Sequence, residues 1–269
     1  MTIRTGSATT VARRVRALTV SLGRGPVGAG PADLVGAKGF EVRDLRPELM
    51  DHPGLDPARH REALDALARV NRVSGTASRI WSVILEIHGR TGRSVRVLDI
   101  ACGGGDVVAD IATRARGAGV PLEVHGCDVS PLALEAARTR SGGEDRVDFF
   151  GLDAQRDPIP RGYDLLCSSL FLHHLPAGSA IELLRKMASA TASSILVQDL
   201  RRTRVGFLFA YFGLLALTRS DVARSDGLTS VRGAFTQREA KALCADAGLV
   251  GAVVRPVWPQ RFYIRWSRP

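Results

Sequence analysis

From residue 95 onward, short apolar runs alternate with stretches whose apolar positions recur at helical spacing. SVRVLDI over 94–100, PLEVHGCD over 121–128, RVDFFGLD over 146–153, YDLLCSSLF over 163–171 and SSILVQD over 193–199 read as strands. Helices are predicted between them over 106–116, 131–140 and 180–190, with Ser130 as the natural N-cap before Pro131. This βαβ alternation predicts an open parallel sheet with right-handed crossovers. Thr236 caps one more helix, closed by Gly248, and LVGAVVRPVWPQRFYIRW then reads as two strands around a proline-containing turn. The expected class is α/β: a doubly wound, mostly parallel seven-stranded sheet with an antiparallel C-terminal edge.

Before residue 95 the rhythm is helical. Two amphipathic helices are predicted over 57–73 and 77–89, preceded by a Gly/Pro-rich linker over 23–39. VGFLFAYFGLLAL over 205–217 carries no charge, yet it is well short of a bilayer span and reads as a buried or interfacial helix. The expected organisation is a basic flexible segment over 1–39, a helical lid over 40–90, and an α/β domain over 91–269 with a helical insertion over 203–220.

Charge changes the picture mainly at the start. The chain carries a formal net charge of +10, almost all of it from arginine. Residues 1–32 hold Arg4, Arg13, Arg14, Arg16 and Arg24 and no acid. Such a stretch resembles a transit peptide and equally suits a tail or a peripheral membrane contact. Arg-heavy usage is as easily a compositional bias as a sign of a polyanionic partner. The four scattered cysteines form no CxxC pair, which argues against a disulfide framework and for a reducing, cytoplasmic setting.

The candidate chemistry starts at VLDIACGGGDVV over 97–108, where the first strand ends. Ligands of open parallel sheets bind at strand carboxyl ends, and glycines there let a ligand approach the main chain. A dinucleotide fingerprint needs a third glycine at 108, where Val108 stands, and a pyrophosphate sits badly between Asp99 and Asp106. Two acids suit a ligand with a cationic group. Asp106 itself reads as an N-cap, Cys102 and Cys127 as small buried fillers, and Asp157 as a turn residue before Pro158.

Asp99-Ile100-Ala101-Cys102-Gly103-Gly104-Gly105 resembles the first motif of the class I S-adenosylmethionine-dependent methyltransferases, departing from it at Ala101 in place of the first glycine. The resemblance continues in HGCDVSPLALEAAR, FFGLDAQRDPIP and YDLLCSSLFLHHLP, and spans roughly residues 94–200. It implies a Rossmann-like fold and methyl transfer from S-adenosylmethionine, with S-adenosylhomocysteine as product. By position it implies cofactor contacts from Asp99, Ala101, Cys102, Gly103 and Gly105. Asp128 would hold the ribose hydroxyls, Val129 would pack on the adenine, Asp153 with Ala154 would meet its amino group, and Ser169 would lie at the fourth strand end.

Methyl transfer needs alignment and a dry site, plus a general base where the acceptor is a hydroxyl. His173 and His174, just past the fourth strand, are the candidate bases; His125, Asp199 and Arg201 lie at neighbouring strand ends. No metal constellation is evident. An Asn/Asp-Pro-Pro-Tyr motif and a Pro-Cys pair are both absent, which argues against a nucleic-acid target. Phe207, Phe209, Tyr211 and Phe212 suggest an apolar lid and so an aromatic, polyketide or lipid-like small-molecule acceptor, methylated on oxygen. An RNA-directed methyltransferase and a non-catalytic cofactor-binding relative stay open as alternatives. The oligomeric state is not legible.

Overall fold

In a computed structural model of the chain, residues 39–268 are described; the expected basic segment over 1–39 lies outside them apart from Gly39. Two helices come first, α1 (Pro57–Val73) and α2 (Thr76–Thr91). Asp56 starts α1 by accepting from the amides of Ala58 and Arg59, with Pro57 fixing the first turn. The α/β unit then runs β1 (Val95–Ile100), α3 (Asp106–Ala118), β2 (Leu122–Asp128), α4 (Pro131–Ser141), β3 (Val147–Gly151), β4 (Leu165–Ser169), α5 (Ala177–Ala190) and β5 (Ser194–Leu200). It closes with α6 (Arg204–Leu217), α7 (Asp221–Gly233), α8 (Gln237–Asp246), β6 (Val253–Val257) and β7 (Arg261–Ser267). Among the described residues no helix is long and apolar enough to cross a membrane.

The seven strands lie in the order β3-β2-β1-β4-β5-β7-β6. β1 pairs in parallel with both β2 and β4, so the order reverses there and a crevice opens at their carboxyl ends. β7 is antiparallel to β5 and to β6, as the tail pattern leads one to expect. Strand alternation feeds two cores. On one face Val97, Leu165 and Leu196 pack under α2 and α3 through Ile80, Ile84, Ile87, Val108 and Ile111. On the other, Leu98, Leu166 and Ile195 pack under α5 and α8 through Leu184, Met187 and Leu243.

The insertion after β5 departs from expectation. The helical segment expected over 203–220 is a pair of helices, α6 and α7, extending to Gly233. Asp221–Gly233 has two glycines and few apolar residues, so its pattern is too weak to read. It folds because Ser220 caps it and because Gly227 admits Leu214 of α6, whose Cδ1 would lie 2.3 Å from a Cβ built at that glycine. The four aromatics of α6 do not gather into one lid wall. Phe207 is buried against Phe40, whereas Phe209 and Phe212 are 50% and 57% exposed.

Gly105 is where sheet and helix come closest at the crevice. Its φ is +68°, and a Cβ there would lie 2.7 Å from Ala137 Cβ and 3.0 Å from Ala137 Cα. Gly105→Ala therefore adds both left-handed strain and overpacking, and should lower stability by about 2–4 kcal/mol in urea unfolding. An unchanged unfolding midpoint would show that the close packing is absent.

Candidate functional site

The crevice is built on one strained turn. Ala101 takes φ +56° where the resemblance expects glycine, and Gly103 and Gly105 take +52° and +68°. The Cys102 amide donates to Cys127 O and the Gly103 amide to Asp128 Oδ2 at 2.9 Å, tying the ends of β1 and β2 together. Asp128 Oδ1 accepts from the Ser130 amide, also at 2.9 Å. Each carboxylate oxygen keeps a further lone pair for a ligand. Asp106 is not the N-cap: Gly105 holds that position, and Asp106, one residue later, accepts from Asn71 Nδ2 at 3.1 Å. Cys102 and Cys127 are buried free thiols, and burial raises both pKa values, so they pack rather than react.

Helix α1 lies over this turn. Leu64 faces Gly103 and Gly104, while Arg140 joins Gly104 O to Asp65. His60, lowered by burial, feels the charges of Asp128 and Asp51, so the helix spans the distance between the turn and residue 51. Val129 is 71% exposed beside the crevice. Asp153 Oδ1 caps its own turn through the Gln155 amide, and the Asp153 amide donates to Asp157, the expected turn residue. Ala154 is buried behind it.

Three acids converge here. Asp99 is 2% exposed, and its one side-chain hydrogen bond comes from the Cys167 thiol at 3.5 Å. Burial pushes its pKa up to about 7; the nearby charges of Asp106 and Asp128 add to this, and the thiol opposes it. Asp106 is likewise raised, first by burial. The cradle is short of positive charge. Two buried polar atoms near it, Ser169 Oγ and Arg261 Nη2, have no hydrogen-bond partner. Arg261 reaches Thr76 and Asn71 through Nη1, at 2.9 and 3.3 Å.

The turn after β4 forms the other half of the site. Leu170 adopts φ +58°, a rare conformation for a branched side chain, and Leu172–His174 make one 3₁₀ turn. His173 is buried with Nδ1 2.7 Å from Asp199 Oδ1 and Nε2 3.4 Å from Glu48 Oε1. Burial alone would lower its pKa, but Asp199 and Glu48 outweigh that and raise it to about 10. Asp199 is correspondingly held low by His173. Both acids therefore favour the protonated ring of His173. His174 is partly exposed, with Nδ1 3.5 Å from Asp51 and Nε2 3.9 Å from Glu48. Of the other sequence candidates, His125 bonds Tyr163 on β2, while Arg201 lies where β5 runs into α6.

Glu48, Asn71 and Arg261 are site residues that sequence reasoning misses. Glu48 comes from a strap that wraps the β4 turn. Arg43 in the same strap donates to the carbonyls of His173 and Leu175, both at 2.7 Å, and Asp226 of α7 accepts from the Leu49 and Met50 amides. Ser230 donates to Glu48 at 2.5 Å. Glu48, His173 and His174 offer donor atoms within 4.8 Å of one another, enough to hold a metal ion. The same residues, with Asp199 and Asp51, also read as an ion network.

Residues 97–194 match the family model described as a methyltransferase domain. Methyltransferase calH of Penicillium decumbens is 31% identical over 96 residues, 33% of this chain and 26% of the relative, so the chain matches about a quarter of that protein. Two solved structures share the fold. One is an O-methyltransferase from neocarzinostatin biosynthesis, in complex with S-adenosylhomocysteine and 1,4-dihydroxy-2-naphthoic acid (TM-score 0.57, 18% identity, 82% of this chain and 62% of that one). The other is magnesium protoporphyrin IX methyltransferase of Synechocystis with bound S-adenosylhomocysteine (TM-score 0.52, 13% identity, 82% and 91%). Residues 97–194 thus resemble a methyltransferase domain, and the two solved structures share the fold that carries it.

The raised pKa of Asp99 has a measurable consequence. A carboxyl that holds its proton better when folded contributes stability in full below its unfolded value near 3.8, and that stability is lost as pH rises through about 7. From pH 5 to pH 8 the stability of Asp99→Asn relative to the parent chain should therefore grow by about 2–3 kcal/mol in chemical denaturation. A difference that stays flat over this range would mean that Asp99 is ionised throughout.

Proposed function

We propose that this chain is a cytoplasmic methyltransferase that moves the methyl group of S-adenosylmethionine to a hydroxyl oxygen of an apolar aromatic, polyketide or lipid-like small molecule. The donor set fits such a cofactor: three carboxylates short of positive charge suit its sulfonium and ammonium, and left-handed backbone at Ala101, Gly103 and Gly105 leaves the main chain bare. Asp128 has lone pairs free for two ribose hydroxyls, Val129 offers an apolar surface for the adenine, and Asp153 and Ala154 stand at the third strand end for its edge. Ser169 Oγ and Arg261 Nη2 are the unpaired donors for its carboxylate. When bound, the cofactor supplies an electrophilic methyl on sulfur and leaves as the thioether S-adenosylhomocysteine.

The choice of oxygen rests on the histidine pair. His173, whose protonated form Asp199 and Glu48 favour, is poorly suited to take a proton; it positions its neighbour. His174, partly exposed and flanked by Asp51 and Glu48, takes the acceptor's hydroxyl proton as the new O–CH₃ bond forms, and the two carboxylates stabilise the imidazolium that results. α1 covers the glycine turn through Leu64 and helps to keep the transfer dry. The apolar acceptor class is supported by the aromatic Phe171 beside His174 and by the naphthoic acid held by one structural neighbour.

Two variants separate binding from chemistry. In calorimetry with S-adenosylhomocysteine, Asp128→Ala should lose at least about tenfold in affinity, as removal of a charged hydrogen-bond pair requires. Unchanged affinity removes Asp128 from the ribose site. His174→Ala should keep that affinity and lose about 10²–10⁴-fold in turnover on a phenolic acceptor. Full turnover in that variant would eliminate proton abstraction by His174.

A further inference from the structure

The outer face of α6 is apolar along its whole length. Gly206, Phe207 and Leu214 are buried toward the protein, whereas Val205, Leu208, Phe209, Phe212 and Leu215 are all exposed. Their spacing of three and four residues places them in one stripe. No charge interrupts the helix between Arg204 at its first position and Arg219 just past its end. Both arginines are exposed, and among the described residues neither has an acidic partner; the nearest acid in sequence, Asp221, is taken by Arg59 at 2.6 Å. Beside the helix start sits a second exposed apolar group. Gln260 packs on Gly206, accepts from the Arg201 amide and from Thr203 Oγ1, and thereby holds the β6–β7 turn that presents Trp258, 62% exposed.

We propose that α6, with Trp258 at its start and Arg204 and Arg219 at its ends, docks the protein onto an anionic lipid surface. An apolar stripe bounded by cations, with an indole at its edge, matches the layering of a bilayer whose anionic headgroups lie just above hydrocarbon. The net charge of +10 adds long-range attraction to such a surface. The same charge disfavours a second copy of this chain as the occupant, because pairing two stripes would bring like arginines together. Helix length excludes spanning, so the contact lies in the plane of the interface. None of these side chains belongs to the acid cradle or the histidine network, so the docking stands apart from the reading of the site as a methyltransferase centre.

The test uses the full chain and co-sedimentation with vesicles of phosphatidylglycerol and phosphatidylcholine, against vesicles of phosphatidylcholine alone. Binding to the anionic vesicles is expected, weakened by salt, and reduced at least about tenfold in Phe209→Ser/Phe212→Ser. Melting temperature and S-adenosylhomocysteine affinity should be unchanged in that variant, because both side chains face outward. If its melting temperature falls, Arg204→Glu/Arg219→Glu carries the reading and should lose the preference for anionic vesicles. Absence of binding to anionic vesicles overturns the proposal. So does full binding by both variants, which would move the contact elsewhere in the chain, or a dimer in light scattering that the phenylalanine variant converts to monomer.

Discussion

His173, set between Asp199 and Glu48, joins four parts of the chain that are far apart in sequence. Asp199 ends β5, His173 lies in the turn after β4, Glu48 belongs to the N-terminal strap, and Ser230 of α7 donates to Glu48. Burying two carboxylates costs several kcal/mol each unless a cation neutralises them, and removing one member of such a cluster typically costs about 3–5 kcal/mol. The histidine between these two acids thus helps to hold the strap, together with Arg43 and Asp226. Once the strap is in place, Arg43 fixes the carbonyls of the β4 turn, and the exposed ring of His174 is held against Asp51. One histidine is spent on structure so that its neighbour has a defined place.

The glycine turn shows the opposite balance. There the chain gathers three acids, with Arg140 and Arg261 as the cations that act on Asp106, and backbone strain is kept at Ala101, with a methyl group in left-handed conformation. Strain and unmet charge of this kind persist only where the surrounding fold holds them, and they lower the cost of a ligand that relieves them. The surroundings that hold the turn are visible: Ala137 of α4 beneath Gly105, Leu64 above Gly103 and Gly104, and Asn71 on Asp106. Both halves of the site thus rest on α1 and the strap before it, not on the α/β unit alone.

Much of this was legible in the chain. Strands buried on both faces give continuous apolar runs, and Asp56-Pro57 and Ser130-Pro131 mark helix starts through chemistry that is entirely local. The acids at residues 99 and 128 could be placed at strand ends because a motif ties each one to its strand. What stayed hidden depends on contacts made across the fold. Asp106 looks like a cap, but Gly105 can take the left-handed conformation and so becomes the cap itself. α7 has too little apolar periodicity to show, since beside Val222, Ala223 and Val231 it buries Asp226 and Ser230, held by hydrogen bonds to the strap. Glu48 sits in a polar stretch where nothing nearby signals burial; only its meeting with two histidines more than a hundred residues away gives it a role. That Phe207 of α6 faces inward while Phe209 and Phe212 face outward was not legible, because hydrophobicity says which residues avoid water, not which side of a helix faces the protein.

That last point makes the α6–α7 pair the hinge between the surface and the site. α6 can expose its stripe only because its inner face is already satisfied by α7, through Leu214 over Gly227 and Phe207 under Arg232. α7 in turn supplies Asp226 and Ser230, which hold the strap by its backbone and by Glu48. Burial lifts the Asp226 carboxyl to about 6 against the pull of the two strap amides, so this packed unit loses stability as pH rises through that value. The exposed helix and the residues that fix Glu48 beside His173 therefore belong to one packed unit. A segment that could have been read as a simple cover over the substrate instead presents its apolar side outward, and its stabilising chemistry inward.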